Sequence, residues 1–125
     1  MNPASILVTD DESNVRMMVR TALESDGYNV LEASNGEEAL QVAGRFAGQI
    51  HLLLTDVVMP KVEGAELASE LAKLRPGIST LFMSGYTDHR LLEHLPMVRR
   101  PAVLQKPLHL HSLLEAIGEA MKNPL

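Results

Sequence analysis

The 125-residue chain contains no cysteine and no tryptophan. Without cysteine there is no disulfide framework, no thiol nucleophile and no thiolate-held zinc or iron–sulfur site. Aromatic residues make up 3% of the chain, too few for a platform on which bases stack. Positive charge is also scarce: 11 Lys and Arg against 16 Asp and Glu give a formal net charge of -5. A surface of that sign repels polyanions, which argues against direct nucleic-acid binding and against attraction to anionic membrane. Long apolar runs are missing too. The longest, around Leu52-Leu53-Leu54 and Val57-Val58-Met59, fall far below the ~20 residues of a membrane-spanning helix. Residues 1–9 carry no basic side chain ahead of the acids at Asp10, so they lack the makeup of a secretory signal. These absences together lead us to expect a cytoplasmic protein.

Hydrophobic residues at 46% and charged residues at 22% are the composition of a globular chain. With no repeat, linker or low-complexity tract, residues 1–125 are expected to form a single domain with its core at about 5–121. Short apolar runs alternate with helical periodicity. Ile6-Leu7-Val8-Thr9 reads as a strand, and Val15, Met18, Val19, Ala22 and Leu23 recur on one face of a helix that ends at Gly27. Residues 28–33 read as an edge strand. Asn35 then caps a second helix, with Glu38 placed to return a bond to the cap backbone, and Ala39, Leu40, Ala43 and Phe46 form its apolar face. Residues 50–55 are the most strand-like run. Leu67, Leu71 and Leu74 mark a third helix that stops before Pro76-Gly77. Strands over 79–83 and 102–105 flank a short helix over 88–95. Leu110, Leu113, Leu114, Ile117 and Met121 stripe the last helix. Five β-α repeats imply an α/β fold: a doubly wound parallel sheet with helices on both faces. A (βα)₈ barrel needs about twice this length.

The positions of the polar residues carry the chemistry. Asp10 and Asp11 end the first strand, Asp56 the third, Ser84 the fourth and Lys106 the fifth. In doubly wound sheets, ligands bind at the C-terminal strand edge, where the strand order reverses. With order 2-1-3-4-5, the first and third strands are neighbours and three carboxylates converge in one crevice. Lys106 starts ~10 Å from Asp56 along the sheet, within the span a long side chain can largely cover. Three ionised carboxylates demand a counter-charge. Mg²⁺ supplies it while keeping waters and accepting a phosphate oxygen. Such a site suits in-line phosphoryl transfer, with Asp56 as nucleophile, Asp10 and Asp11 on the metal, Lys106 as a second cation and Ser84 on a phosphoryl oxygen.

Four segments together, Asp10-Asp11-Glu12, Leu54-Thr55-Asp56-Val57-Val58-Met59-Pro60, Met83-Ser84-Gly85-Tyr86 and Leu104-Gln105-Lys106-Pro107, each follow a strand. In this order the chain resembles the receiver domain of two-component response regulators, of the chemotaxis-regulator-like kind. The resemblance implies a flavodoxin-like (βα)₅ fold and Mg²⁺ dependence. It implies a sensor histidine kinase or a histidine phosphotransfer protein as the phosphodonor to Asp56. It further implies that the Val58 carbonyl ligates the metal and that the Lys106-Pro107 peptide is cis. A downstream partner would dock on the face formed by the 88–95 helix, the fifth strand and the last helix. One position departs from the family: the aromatic residue usual three before the lysine is Val103 here. A β-branched valine cannot swing as that ring does. Tyr86 is then the ring nearest the phosphate and the candidate gate.

Competing readings remain in view. A flavin-binding protein needs a Ser/Thr/Gly-rich loop after the first strand, where this chain is acidic. A small phosphatase with an aspartyl nucleophile needs a second acid two residues on, where this chain has Val58. A phosphorylation-independent pseudo-receiver would not need the full set of acids and lysine. The histidines at 51, 89, 94, 109 and 111 have no chelating spacing. No output domain is expected after the five units. The expectation is therefore a stand-alone regulator or a receiver excised from a hybrid sensor kinase, a signalling module and not an enzyme.

Overall fold

The computed structural model describes residues 3–57, 62–84 and 102–122. Its elements run β1 (Ser5–Thr9), α1 (Ser13–Ser25), β2 (Asn29–Ala33), α2 (Gly36–Arg45), β3 (Leu52–Asp56), α3 (Gly64–Leu74), β4 (Ser79–Ser84), β5 (Ala102–Gln105) and α4 (Leu110–Lys122). The helix expected over 88–95, along with Tyr86 and Val58, lies outside the described residues.

All strand pairs are parallel, in the order β2-β1-β3-β4-β5. The strands are apolar on both faces because both are covered. Ile6 and Val8 of β1, Leu52 and Leu54 of β3, and Leu81 and Met83 of β4 face Val19 and Leu23 of α1 and Leu113 and Ile117 of α4. Leu7, Leu53 and Phe82 point the opposite way, against Ala39 and Ala43 of α2 and Leu67 and Leu71 of α3. The period-2 alternation sorts each strand's side chains between these two cores.

Local signals behave as their chemistry requires. Gly27 and Gly77 take positive φ (92° each) after α1 and α3, where a Cβ would be strained. The Asn35 side chain accepts the Glu38 N–H at 2.8 Å, a helix cap. The expected return bond differs: the Glu38 carboxylate accepts from the Ser34 hydroxyl at 2.9 Å, one residue before the cap. Three stripe residues are not core. Met18 is exposed at the edge of its stripe, and Leu74 and Leu110 are exposed where α3 ends and α4 begins. At a helix terminus the turn has run past the sheet, so periodicity continues beyond the surface it can bury. β3 also extends one residue further than the sequence suggests, so Asp56 belongs to the strand itself.

Candidate functional site

Parallel strands bring all their C-termini to one edge. Thr9 pairs with Thr55, Asp56 with Met83, and Ser84 with Gln105. Asp10, just past β1, is level with Asp56 on β3, while Lys106, just past β5, stands two residues beyond that level, since Asp56 pairs with Met83 and Met83 with Leu104. That is the convergence expected from the strand order.

Asp10 is wholly buried. Its N–H donates to the Ala33 carbonyl (3.3 Å), its Oδ1 accepts from the Glu12 N–H (2.9 Å), and its carbonyl accepts from Arg16 Nη1 (2.6 Å). The Lys106 ammonium donates to Asp10 Oδ2 and to Asp56 Oδ2, both at 2.8 Å, and lies 3.7 Å from Glu12 Oε1. Its side chain is 15% exposed and reaches past the end of β4 to both acids. Burial alone would lower the lysine's pKa. The hydrogen bonds to Asp10 and Asp56, and the charges behind them, outweigh that and hold it above its ordinary value. Lys106 is therefore a fixed cation at neutral pH. Its main-chain N–H donates to the Ser84 carbonyl at 2.8 Å, which ties the start of the last loop to the end of β4. The Lys106-Pro107 peptide is cis.

Asp10, Asp11 and Asp56 each offer one carboxylate oxygen, and these oxygens lie within 4.8 Å of one another. Three carboxylates around one ammonium leave a local excess of negative charge. Hard oxygen donors at this spacing fit a small divalent cation that keeps waters in part of its shell, so the residues present are compatible with Mg²⁺. Asp11 is exposed, which leaves the open side of the cluster to solvent. Ser84, half-buried, ends β4 beside this group. Val103 is half-buried against the α2/α3 side of the sheet. Its cross-strand partner Phe82 is buried, so at this level the ring is on β4.

Sequence reasoning passed over Gly64 and Gly36. The Gly64 N–H donates to the Val57 carbonyl at 2.9 Å. A Cβ at Gly64 would sit 2.1 Å from the Asp56 carbonyl oxygen and 3.0 Å from Val57 Cα. Only glycine lets the first turn of α3 rest on the main chain of Asp56. A Cβ at Gly36 would meet Val62 Cβ at 2.4 Å, which brings α2 against the segment leading into α3. The available signal was a glycine at the start of a helix, a costly choice without a packing reason. Thr9 also went unnoticed. Its hydroxyl is buried and has no hydrogen-bond partner among the described residues, while the Thr55 hydroxyl opposite donates to the Asp56 carbonyl at 3.0 Å.

The sequence pattern that defines the response regulator receiver domain matches residues 6–118. The sensor kinase CckA of Brucella abortus (strain 2308) is 37% identical over 119 residues, which cover 95% of this chain and 13% of that protein. The response regulator receiver protein CpdR of the same organism is 34% identical over 117 residues, 93% of this chain and 95% of that one. The crystal structure of a CheY-like response regulator receiver domain protein from Methanospirillum hungatei JF-1 superposes with a TM-score of 0.85 at 29% identity, covering 96% of this chain and 94% of its own. The flavodoxin-like sheet order, the acidic edge and these matches agree: the chain belongs to the response regulator receiver domain family of two-component signalling.

Proposed function

We propose that this chain accepts a phosphoryl group on Asp56 from a phosphohistidine, with Mg²⁺ bound among Asp10, Asp11 and Asp56. The observation that carries the reading is the shared ammonium: Lys106 joins the buried Asp10 to Asp56 with two 2.8 Å bonds at the open acidic edge. In the transfer, an Asp56 carboxylate oxygen forms a bond to phosphorus as the phosphorus–nitrogen bond of the donor histidine breaks. The electron pair of that bond leaves with the imidazole. Asp10 and Asp11, with Asp56 itself and the Val58 carbonyl, would hold the metal, which when bound offsets negative charge on the phosphoryl oxygens. Lys106 passes from Asp56 Oδ2 to a phosphoryl oxygen, and the Ser84 hydroxyl donates to another. Gly64 keeps the Asp56 main chain still while its side chain reacts.

The donor class is a sensor histidine kinase or a histidine phosphotransfer protein. Similarity to CckA, a sensor kinase, and to CpdR, a receiver protein, supports that class. The module promotes its own phosphorylation and dephosphorylation and turns over no other substrate. A downstream partner docks on the face expected from residues 88–95 together with β5 and α4. No described helix is long and apolar enough to cross a membrane, in keeping with action in the cytoplasm.

Intact-mass measurement after incubation with acetyl phosphate and Mg²⁺ tests this. One phosphate adduct is expected on the wild type, lost with EDTA and in Asp56→Asn. A wild type that stays unmodified under saturating donor and Mg²⁺ overturns the proposal.

A further inference from the structure

We infer that Arg16 is the positioning residue of the acidic cluster, holding the Asp10-Asp11 peptide so that Asp11 faces the cation. The inference rests on the Mg²⁺ reading above and assigns a part in it to a residue outside the donor set. Arg16 stands in the second turn of α1 and touches none of the three carboxylates by hydrogen bond or ion pair. Its Nη1 donates to the Asp10 carbonyl at 2.6 Å, and its Nε lies 3.4 Å from Glu32 Oε1 on β2. Arg20 binds the other Glu32 oxygen, and Arg20 Nε in turn lies 3.3 Å from Glu24 Oε2. The guanidinium is thus braced from β2 on one edge while the other edge grips a carbonyl. The planar fork of arginine permits this, and the single ammonium of lysine does not.

The gripped carbonyl belongs to the peptide unit that ends in the Asp11 N–H. That unit is planar, so fixing its oxygen fixes the direction in which Asp11 leaves the chain. Asp11 needs such help. It is exposed, and among the described residues it has no ion-pair partner. The start of α1 adds little, since the Glu12 side chain makes no capping bond there. The aim of Asp11 therefore depends on the main chain, which is held by the Glu12 N–H on Asp10 Oδ1 and by Arg16.

The sign of the effect separates positioning from charge. Arg16 places a positive charge near a cation site, so by Coulomb's law alone its removal tightens Mg²⁺ binding. Loss of positioning weakens it. Mg²⁺ titration by calorimetry of the wild type, Arg16→Gln, Arg16→Lys and Glu32→Gln reads the sign, with melting temperature in EDTA recorded alongside. Arg16→Gln is expected to weaken Mg²⁺ affinity about tenfold, the usual scale for a residue that orients a metal ligand. Arg16→Lys should fall between it and the wild type, and Glu32→Gln, which leaves every donor in place, should weaken binding less. If Arg16→Gln lowers the melting temperature so far that it cannot be titrated, Arg16→Lys and Glu32→Gln carry the comparison. Wild-type binding with variants equal to it or tighter overturns the inference and leaves the phosphoacceptor reading standing. A wild type that binds no Mg²⁺ overturns both.

Discussion

At the C-terminal edge of the sheet, three carboxylates lie together and one ammonium bonds two of them, Asp10 and Asp56. At the N-terminal edge, the polar groups are matched by neutral partners. The Ser5 N–H donates to His51 Nδ1, the His51 N–H returns to the Ser5 carbonyl, and the Ser79 N–H reaches the His51 carbonyl. Among the described residues, a guanidinium engaged there, that of Arg75, ends on three carbonyls, those of Ala43, Phe46 and Gly48, and closes the last turn of α2. The strands are the same, but among the described residues one end pairs its polar groups with neutral main-chain and ring partners, and the other gathers three carboxylates beside one ammonium. The difference teaches where to look. A fold supplies its own partners where it needs only to hold together, and it leaves charge unmatched where a ligand completes the site.

The sharpest way to break the contrast is Lys106→Met. It leaves the buried Asp10 without its ammonium, and stability should fall by about 3–5 kcal/mol in EDTA. Part of that loss should return on adding Mg²⁺, and denaturant melts with and without the ion read the difference. A larger Mg²⁺ gain in the wild type than in the variant would contradict the picture of an unmatched edge. Arg75→Ala strikes the opposite end. Removing the donor for three carbonyls should cost about 2 kcal/mol yet leave the rate of phosphate uptake from acetyl phosphate unchanged. Gly64→Ala joins the two concerns. Its Cβ would press on the Asp56 carbonyl, so both stability (about 1–2 kcal/mol) and the phosphorylation rate should drop together. Thr9→Val is the mildest. It removes a buried hydroxyl with no partner among the described residues and should raise stability by about 1 kcal/mol, read as a higher melting temperature.

Much of this contrast is legible in the residues. Strand ends announce themselves because the apolar runs stop at Asp10, Asp56 and Lys106, and parallel pairing then sends all three to one edge, where the two buried acids pair with the lysine. What is hidden is contact made by the main chain. Gly64 matters for the side chain it lacks, and Arg16 for a carbonyl it grips six residues back, and neither leaves a periodic trace. Arg75 is hidden for a similar reason: its partners come from 27 to 32 residues earlier and are carbonyls, which every residue has. Leu74 and Leu110 misled in the other direction, since spacing says which face a residue takes but not whether a neighbour is there to cover it.

The lysine bridge also has a consequence for assembly. Lys106 follows Asp10 by 96 residues and Asp56 by 50. A chain emerging from the ribosome lays down both acids long before their shared counter-ion exists. During synthesis, then, the acidic edge can gain this cation only once β5 has been made and pairs with β4.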